Sequence, residues 1–333
     1  ALDKTVVANL HAEHTQRKAE LGEKLYELNG YEPINLDSDV EVAEFLIRRG
    51  VELTYRTPTG QLSVSKGVLE YHRADDEAVD AVLEYSTVSK FLSTYIEPMD
   101  GRDAVHPNFW QIGARTGRMS CSNPNMQNIP ARAGTEIREM FVPRPGYCLI
   151  ASDYSQIEPR ILAHYMADDA LKHVLDTGDI YALLGERIYG SINPADWKVE
   201  RHALKAAYLA KTYGAGGPKI AATIGGGMTD DEGRQLSRDL TKALGVNYRV
   251  LNKRIREQVE SAGFVVTIGR RKQYVPFEKS YVGLNALIQG SAADVMKQGL
   301  INVAEALKPF DGHPLLVIHD EVVSEVPIEH AKT

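Results

Sequence analysis

Apolar positions recur at helical spacing over most of the chain, and run together like strands in a few short places. In residues 1–30 the stripe is Val6, Leu10, Leu21, Leu25 and Leu28, in a charged segment that stops at Asn29-Gly30, a good C-terminal signal. The segment opens directly in this pattern with no cap in front of it, which reads as a cut end. VEVAEFLIRRG predicts a second amphipathic helix ending at Gly50, and residues 76–96 predict a third, with turn chemistry in TPTGQLSVS between them. The first hundred residues are therefore expected to be mostly helical.

Residues 107–130, PNFWQIGARTGRMSCSNPNMQNIP, read as an irregular polar loop, long enough to be functional rather than a solvated connector. YCLIASDYSQIEPRILAHYM then predicts a short strand over 148–151 that runs into Asp153 and an amphipathic helix. Ser155 and Glu158 have capping-box spacing at its start. Residues 170–263 are helical in pattern, interrupted at YGAGGP and IGGGM. Neither glycine run has the Lys-Ser/Thr of a P-loop or the strand context of a dinucleotide site, so both read as turns. VVTIGRRKQYVP suggests strand and turn, LNALIQGSAADVMKQGLINVAEAL a helix, and PLLVIHDEVVSEVP two apolar segments around a polar tip. No internal repeat is visible.

Length and composition set looser bounds. At 333 residues the chain has room for about two domains, and 43% hydrophobic with 25% charged residues is ordinary for a globular protein. The net charge of −7 argues against a simple nucleic-acid binder, although basic residues cluster in ARTGR, RHALK and GRRK. Cys121 and Cys148 are the only cysteines, which points to a reducing compartment. With no membrane-length apolar run or secretory leader, a cytoplasmic location is expected.

The chemistry begins with LLVIHDEVV, residues 315–323, where His319, Asp320 and Glu321 interrupt an apolar run. Burying a carboxylate is costly unless something cationic compensates it. Asp153 and Asp320 each follow a short apolar strand, so two strands of one sheet could present them at a common edge. Such a pair could hold two divalent ions ~3.5 to 4 Å apart, with Mg²⁺ or Mn²⁺ favoured by oxygen ligands. Spacing alone does not separate this from the ordinary use of Asp as a turn former or cap. In RHALKAAYLAKTYGAG, Arg201, Lys205, Leu209 and Tyr213 fall four apart and make one slowly drifting helical stripe. Two cations, an apolar group and an aromatic suit a triphosphate at one end and a sugar and base at the other; the alternative is a solvated basic face beside core residues.

DYSQIEPR, the stripe ending in Tyr213-Gly214, and HDE resemble, in order, the three palm and fingers motifs of family A (DNA polymerase I-like) DNA polymerases. TGRMSCSNPNMQNIP resembles that family's primer-template segment, and LNALIQGSAADVMK its helix before the last motif. The resemblance implies an α+β right-hand polymerase fold with an antiparallel palm sheet, helical fingers and a helical thumb. The implied partition is thumb over 1–98, palm over 99–175 and 276–333, and fingers over 176–275. It implies template-directed addition of dNTPs to a primer 3′-hydroxyl with release of pyrophosphate, on primer-template DNA, by a monomer. Two magnesium ions (Mg²⁺, or Mn²⁺ in their place) are implied cofactors.

By the same resemblance Asp153, Asp320 and the Tyr154 carbonyl hold metal and Glu321 supports the site. Arg201 and Lys205 grip the triphosphate, Tyr213 closes on the nascent base pair, and Leu209 and Gln156 face the nucleotide. Glu158 is implied as the steric gate against a 2′-hydroxyl. Arg118, Asn125, Gln127, Asn128, Arg160, Asn285, Gln289 and His319 are implied DNA contacts. Leu209 departs from the Phe or Tyr usual in cellular members, Tyr281 from Arg and Tyr181 from His, which together suggest a phage or phage-like source. Asp75-Asp76 lacks the strand context of an exonuclease, so no proofreading site is expected. The family's last palm strand and C-terminal helix are expected beyond Thr333, so the chain reads as a fragment. A processivity or replisome partner is left open. A single-subunit RNA polymerase shares the fold, but lacks the acidic gate and typically carries Ser after the last Asp. A catalytically silent DNA-binding fragment is the rival of another class.

Overall fold

The computed structural model describes residues 1–57, 59–130, 135–190, 197–225 and 227–332. It divides into two compact units, one of Ala1–Pro107 with Asn123–Pro145, the other of Asn108–Ser122 with Gly146–Thr333. Gly226, in the second glycine run, and Thr333, at the end of the expected palm, lie outside the described residues.

The first unit is helical as its pattern predicts. Helix α1 spans Lys4–Leu28 and buries Val7, Leu10, Leu21 and Leu25. The reading of an uncapped start is corrected, because the Asp3 carboxylate accepts from the amides of Thr5 and Val6 and satisfies two donors of the first turn. Helix α2 spans Asp39–Arg48, α3 the short Lys66–Tyr71, which periodicity did not reveal, and α4 Glu77–Phe91. Leu25, Phe45, Leu46, Leu69 and Val79 make the core of this unit. Each such burial is worth about 1.5 to 3 kcal/mol. Asp75 and Asp76 have structural work here: Asp76 caps α4 and pairs with Arg49 at 2.8 Å, and Asp75 meets His72.

In the second unit the segment read as irregular loop is partly ordered into a hairpin, β1 (Asn108–Trp110) and β2 (Ser120–Ser122). Strand β3 spans Tyr147–Asp153, β4 Phe264–Val266, β5 Lys272–Tyr274, β6 His313–Ile318 and β7 Glu321–Pro327. The strands β4 and β5 form a small hairpin, while β3, β7 and β6 make a three-stranded antiparallel sheet in that order. Residues far apart in sequence thus become neighbours: Asp153 pairs in register with Glu321, at the end where β6 turns into β7.

Around this sheet lie α5 (Ile157–Met166), α6 (Asp169–Thr177), α7 (Ile180–Tyr189), α8 (Trp197–Thr212), α9 (Gly217–Ile224), α10 (Asp230–Ala262) and α11 (Gly283–Leu307). Aspartates at 168 and 179 cap α6 and α7, and Thr229 with Glu232 completes a capping box for α10. Gly245, at φ +84°, breaks α10 into two helical stretches. Leu162, Ile180, Leu184, Leu204, Tyr208 and Leu240 are among the most buried side chains of the shared core that fixes α8 against α7, α9 and α10.

Candidate active site

Two clusters from the predicted motifs assemble in the second unit. The first stands at the end of the three-stranded sheet. His319 and Asp320 form a two-residue hairpin tip, with His319 at φ +58°, a conformation that His tolerates better than most residues. The Tyr154 amide donates to the Asp320 carbonyl at 3.1 Å, which ties the end of β3 to the tip. Loss of solvent pushes the Asp153 carboxyl above its ordinary range, the nearby Asp320 raises it further, and Lys205 on α8 opposes both. The sequence thus brings Asp153, Asp320 and Lys205 into one electrostatic neighbourhood.

The reason expected for a cation here needs adjustment. The HDE tip is not sealed in: His319 is exposed and Asp320 and Glu321 are half-buried. The deeply buried carboxylate is Glu325, 2% exposed, which faces His313 in the β6/β7 register with 3.7 Å between nitrogen and oxygen. What asks for positive charge at the tip is instead the mutual repulsion of Asp153 and Asp320. Among the described residues no group of three or more His, Cys, Asp or Glu side chains is placed to hold a metal. Two carboxylates and a carbonyl nonetheless fit Mg²⁺, which takes few protein ligands and fills its shell with water and phosphate oxygens.

The second cluster centres on Glu158. Arg118 donates to its Oε1 at 2.5 Å and the Tyr213 hydroxyl reaches Oε2 at 3.2 Å. Tyr213 also hydrogen-bonds with Gln289, and burial followed by the Glu158 charge raises its phenol above the ordinary value. The capping box expected from Ser155 and Glu158 does not form. The residue before α5 is Gln156, in the left-handed conformation at φ +54° and without a side-chain cap bond, because the Glu158 carboxylate, 12% exposed, is drawn to Arg118 instead.

Arg118 is delivered by the β1–β2 connection, and Arg271 anchors that connection. Its guanidinium donates to the Thr116 and Gly290 carbonyls, the Gln273 side chain and Asp294, while Gln273 itself donates to the Arg115 carbonyl. Gly117, at φ +84°, lets this happen: a Cβ there would come within 2.5 Å of the Arg271 guanidinium carbon. The basic run GRRK therefore supplies a structural hub, and neither Arg271 nor Asp294 was distinguishable from surface charge by pattern.

The α8 stripe is present, with Tyr213 one residue past the helix and its amide still bonded to the Leu209 carbonyl at 2.9 Å. Arg201 is held by Asp179 at 2.5 Å and lies 5.2 Å over the Tyr181 ring, so Tyr181, noted as a departure from His, gives Arg201 an aromatic seat. Burial, with Asp179 adding and Arg201 opposing, pushes the Tyr181 phenol up to about 12. Leu209 is half-buried against the core. The Tyr154 side chain lies on Gly299 of α11, and Tyr281 lies against Gly214.

Among the described residues three buried side-chain oxygens have no hydrogen-bond partner: Gln156 Oε1, Glu200 Oε2 and Asn285 Oδ1. Two of these belong to residues assigned to nucleotide and DNA, and a bound polar ligand is one way to satisfy them. Arg160 is committed locally, to the Ser155 and Leu175 carbonyls and to Asp176. Asn125, Gln127 and Asn128 belong to the first unit, where Asn125 caps a short 3₁₀ turn, Met126–Asn128, and the Tyr95 hydroxyl donates to the Asn128 carbonyl. Among the described residues no helix is long and apolar enough to cross a membrane.

Comparison with known proteins identifies the family and the fold. The family model for DNA polymerase family A matches residues 4–333. The thermostable DNA polymerase I of Thermus filiformis is 34% identical over 99% of this chain and 42% of its own length. DNA polymerase I of Chloroflexus aurantiacus is 33% identical over 98% of the chain and 37% of its length, and that of Pseudomonas aeruginosa is 34% identical over 92% and 36%. The chain thus spans less than half the length of these relatives. Among solved structures, the POL domain of Pol1 from M. smegmatis, in complex with DNA primer-template and dNTP, superposes with a TM-score of 0.87 at 26% identity, covering 98% of this chain and 61% of that one.

Proposed function

Because the chain belongs to DNA polymerase family A, we propose that it extends a primer 3′-hydroxyl with dNTPs under the direction of a DNA template, releasing pyrophosphate. The observation that carries this reading is the meeting of Asp153 and Asp320 at one sheet end with Lys205 opposite them.

Asp153, Asp320 and the Tyr154 carbonyl would hold two Mg²⁺ ions, with Mn²⁺ as a substitute and Glu321 in support. Bound there, the metal supplies Lewis-acid polarisation of phosphoryl oxygens and neutralises developing charge. Lys205 and Arg201 bind the triphosphate, Arg201 by exchanging Asp179 for phosphate oxygens, which suit its planar donors equally well. Tyr213 stacks on the nascent base pair while Leu209 and Gln156 border the nucleotide. Glu158, fixed by Arg118 and Tyr213, occupies the space a 2′-hydroxyl would need. Arg118, Asn285, Gln289 and His319 follow the primer end and template along the minor groove, whose acceptors vary little with sequence. Asn125, Gln127, Asn128 and Arg160 extend that contact.

In this reading residues 1–98 act as thumb, 99–175 and 276–333 as palm, and 176–275 as fingers, in a monomer working in the cytoplasm. The test is extension of a labelled primer on a defined template with deoxy- or ribonucleotides, with and without Mg²⁺, beside Asp320→Asn. Metal-dependent deoxynucleotide extension lost in Asp320→Asn supports the proposal. Extension with ribonucleotides favours an RNA polymerase, and tight binding without extension favours a silent DNA-binding fragment.

A further inference from the structure

Lys211 stands two positions past Leu209, so helical geometry turns it about 200° away from the Arg201, Lys205, Leu209 stripe. Its half-buried ammonium donates to the Ser237 hydroxyl at 2.9 Å. Among the described residues neither Lys211 nor Arg249 nor Arg256 forms an ion pair. Burial, with Arg256 adding to it, lowers the Lys211 ammonium to about 8, the behaviour of a cation short of negative charge.

The side chain opens into a cavity of about 450 Å³ against α10, which Arg249, Lys253 and Arg256 also line. These three lie on the stretch of α10 after Gly245, four and three residues apart, which puts them on one face over about 10 Å. The cavity's acidic residues are already engaged: Glu257 with Lys253 at 3.7 Å, and Glu260 as acceptor from Ser280 at 2.9 Å. A serine hydroxyl leaves the Glu260 charge in place, so the four cations Lys211, Arg249, Lys253 and Arg256 outnumber the two carboxylates and the hollow keeps surplus positive charge. Guanidinium and ammonium groups lining one hollow are donors that suit phosphate oxygens.

We propose that this cavity is a second phosphate-binding site, separate from the α8 stripe, for a phosphate group carried by a free polyphosphate or by a nucleic-acid backbone. It does not depend on the proposed reaction, since none of its residues belongs to the Asp153 or Glu158 clusters.

The test titrates the full chain calorimetrically with inorganic pyrophosphate, without divalent metal or nucleotide, and follows a labelled single-stranded oligodeoxynucleotide by anisotropy. Lys211→Met and Arg256→Gln are compared with the parent, and Lys205→Ala, made together with Arg201→Ala, removes phosphate binding on the stripe. Pyrophosphate binding that survives this double substitution but weakens about tenfold in the other two variants establishes the site for free polyphosphate. The same loss seen only with the oligonucleotide assigns it to backbone phosphate. Arg256 is exposed, so its variant stays informative if Lys211→Met folds poorly. Unchanged binding of both probes in Arg256→Gln overturns the proposal.

Discussion

Arg118 reaches Glu158 across 40 residues of sequence, with 2.5 Å between Nη2 and Oε1. The pair fixes a carboxylate where Ser155 alone could have made only a helix cap. If Glu158 fills the space of a 2′-hydroxyl, Glu158→Ala relaxes deoxy-over-ribonucleotide selection by about ten- to a hundredfold. Competing single-nucleotide extension measures the ratio, and an unchanged ratio removes the gate.

Asp153 titrates above its unfolded value, so its stabilising contribution is complete below the ordinary Asp range and is lost as pH rises through the elevated native value. Above that window the fold carries an ionised carboxylate beside Asp320. Asp153→Asn removes the repulsion: the variant should melt about 1 °C higher than the parent at pH 7 in metal-free buffer, with the gap closing towards pH 4. The side chain is solvent-accessible, which keeps the effect small. Primer extension by the same variant should fall at least about 100-fold. A melting gap that widens on acidification contradicts the sign.

Much of this was legible beforehand because it rests on short-range pattern. The β3 strand before Asp153, the HDE tip and the α8 stripe follow from periodicity, and both Gly50 and Gly30 end helices as read. Long-range pairing was the illegible part. Nothing near Ser155 announces that Glu158 will forgo its cap for Arg118. Similarly, Asp179 and Arg271 show their roles only once Arg201 and the 115–117 backbone lie beside them. The Asp3 cap was hidden by its position at the very start, and α3 is too short for its stripe to register.

In the proposed reading, Leu209 offers an aliphatic face where an aromatic ring could stack on the incoming nucleotide. Leu209→Phe should lower the KM for dNTP about two- to tenfold, in line with the ~0.5 to 1.5 kcal/mol of an aromatic contact. Steady-state kinetics decide it, and a higher KM would mean that the half-buried site has no room for the ring.

Gly117→Ala should destabilise the second unit by about 2 to 4 kcal/mol, from left-handed strain plus displacement of the Arg271 guanidinium. Gly146→Ala is the matched control: its φ is +83° with nothing within 4 Å of the added carbon, so only the strain applies. Chemical denaturation of both variants separates the two contributions, and equal losses would show that Arg271 yields without cost.

The sheet order β3, β7, β6 also sets a chronology. Strand β3 leaves the ribosome long before its partner, since Asp153 must wait for Glu321 to be synthesised. Until then one hydrogen-bonding edge of β3 has no native neighbour, and pairing across such a distance forms slowly. The carboxylates come together only with the closing hairpin, so a chain made as far as α11 carries every helix from α1 onward and yet lacks the Asp153–Asp320 pairing. Arrival of β7 is what brings Asp153 and Asp320 together.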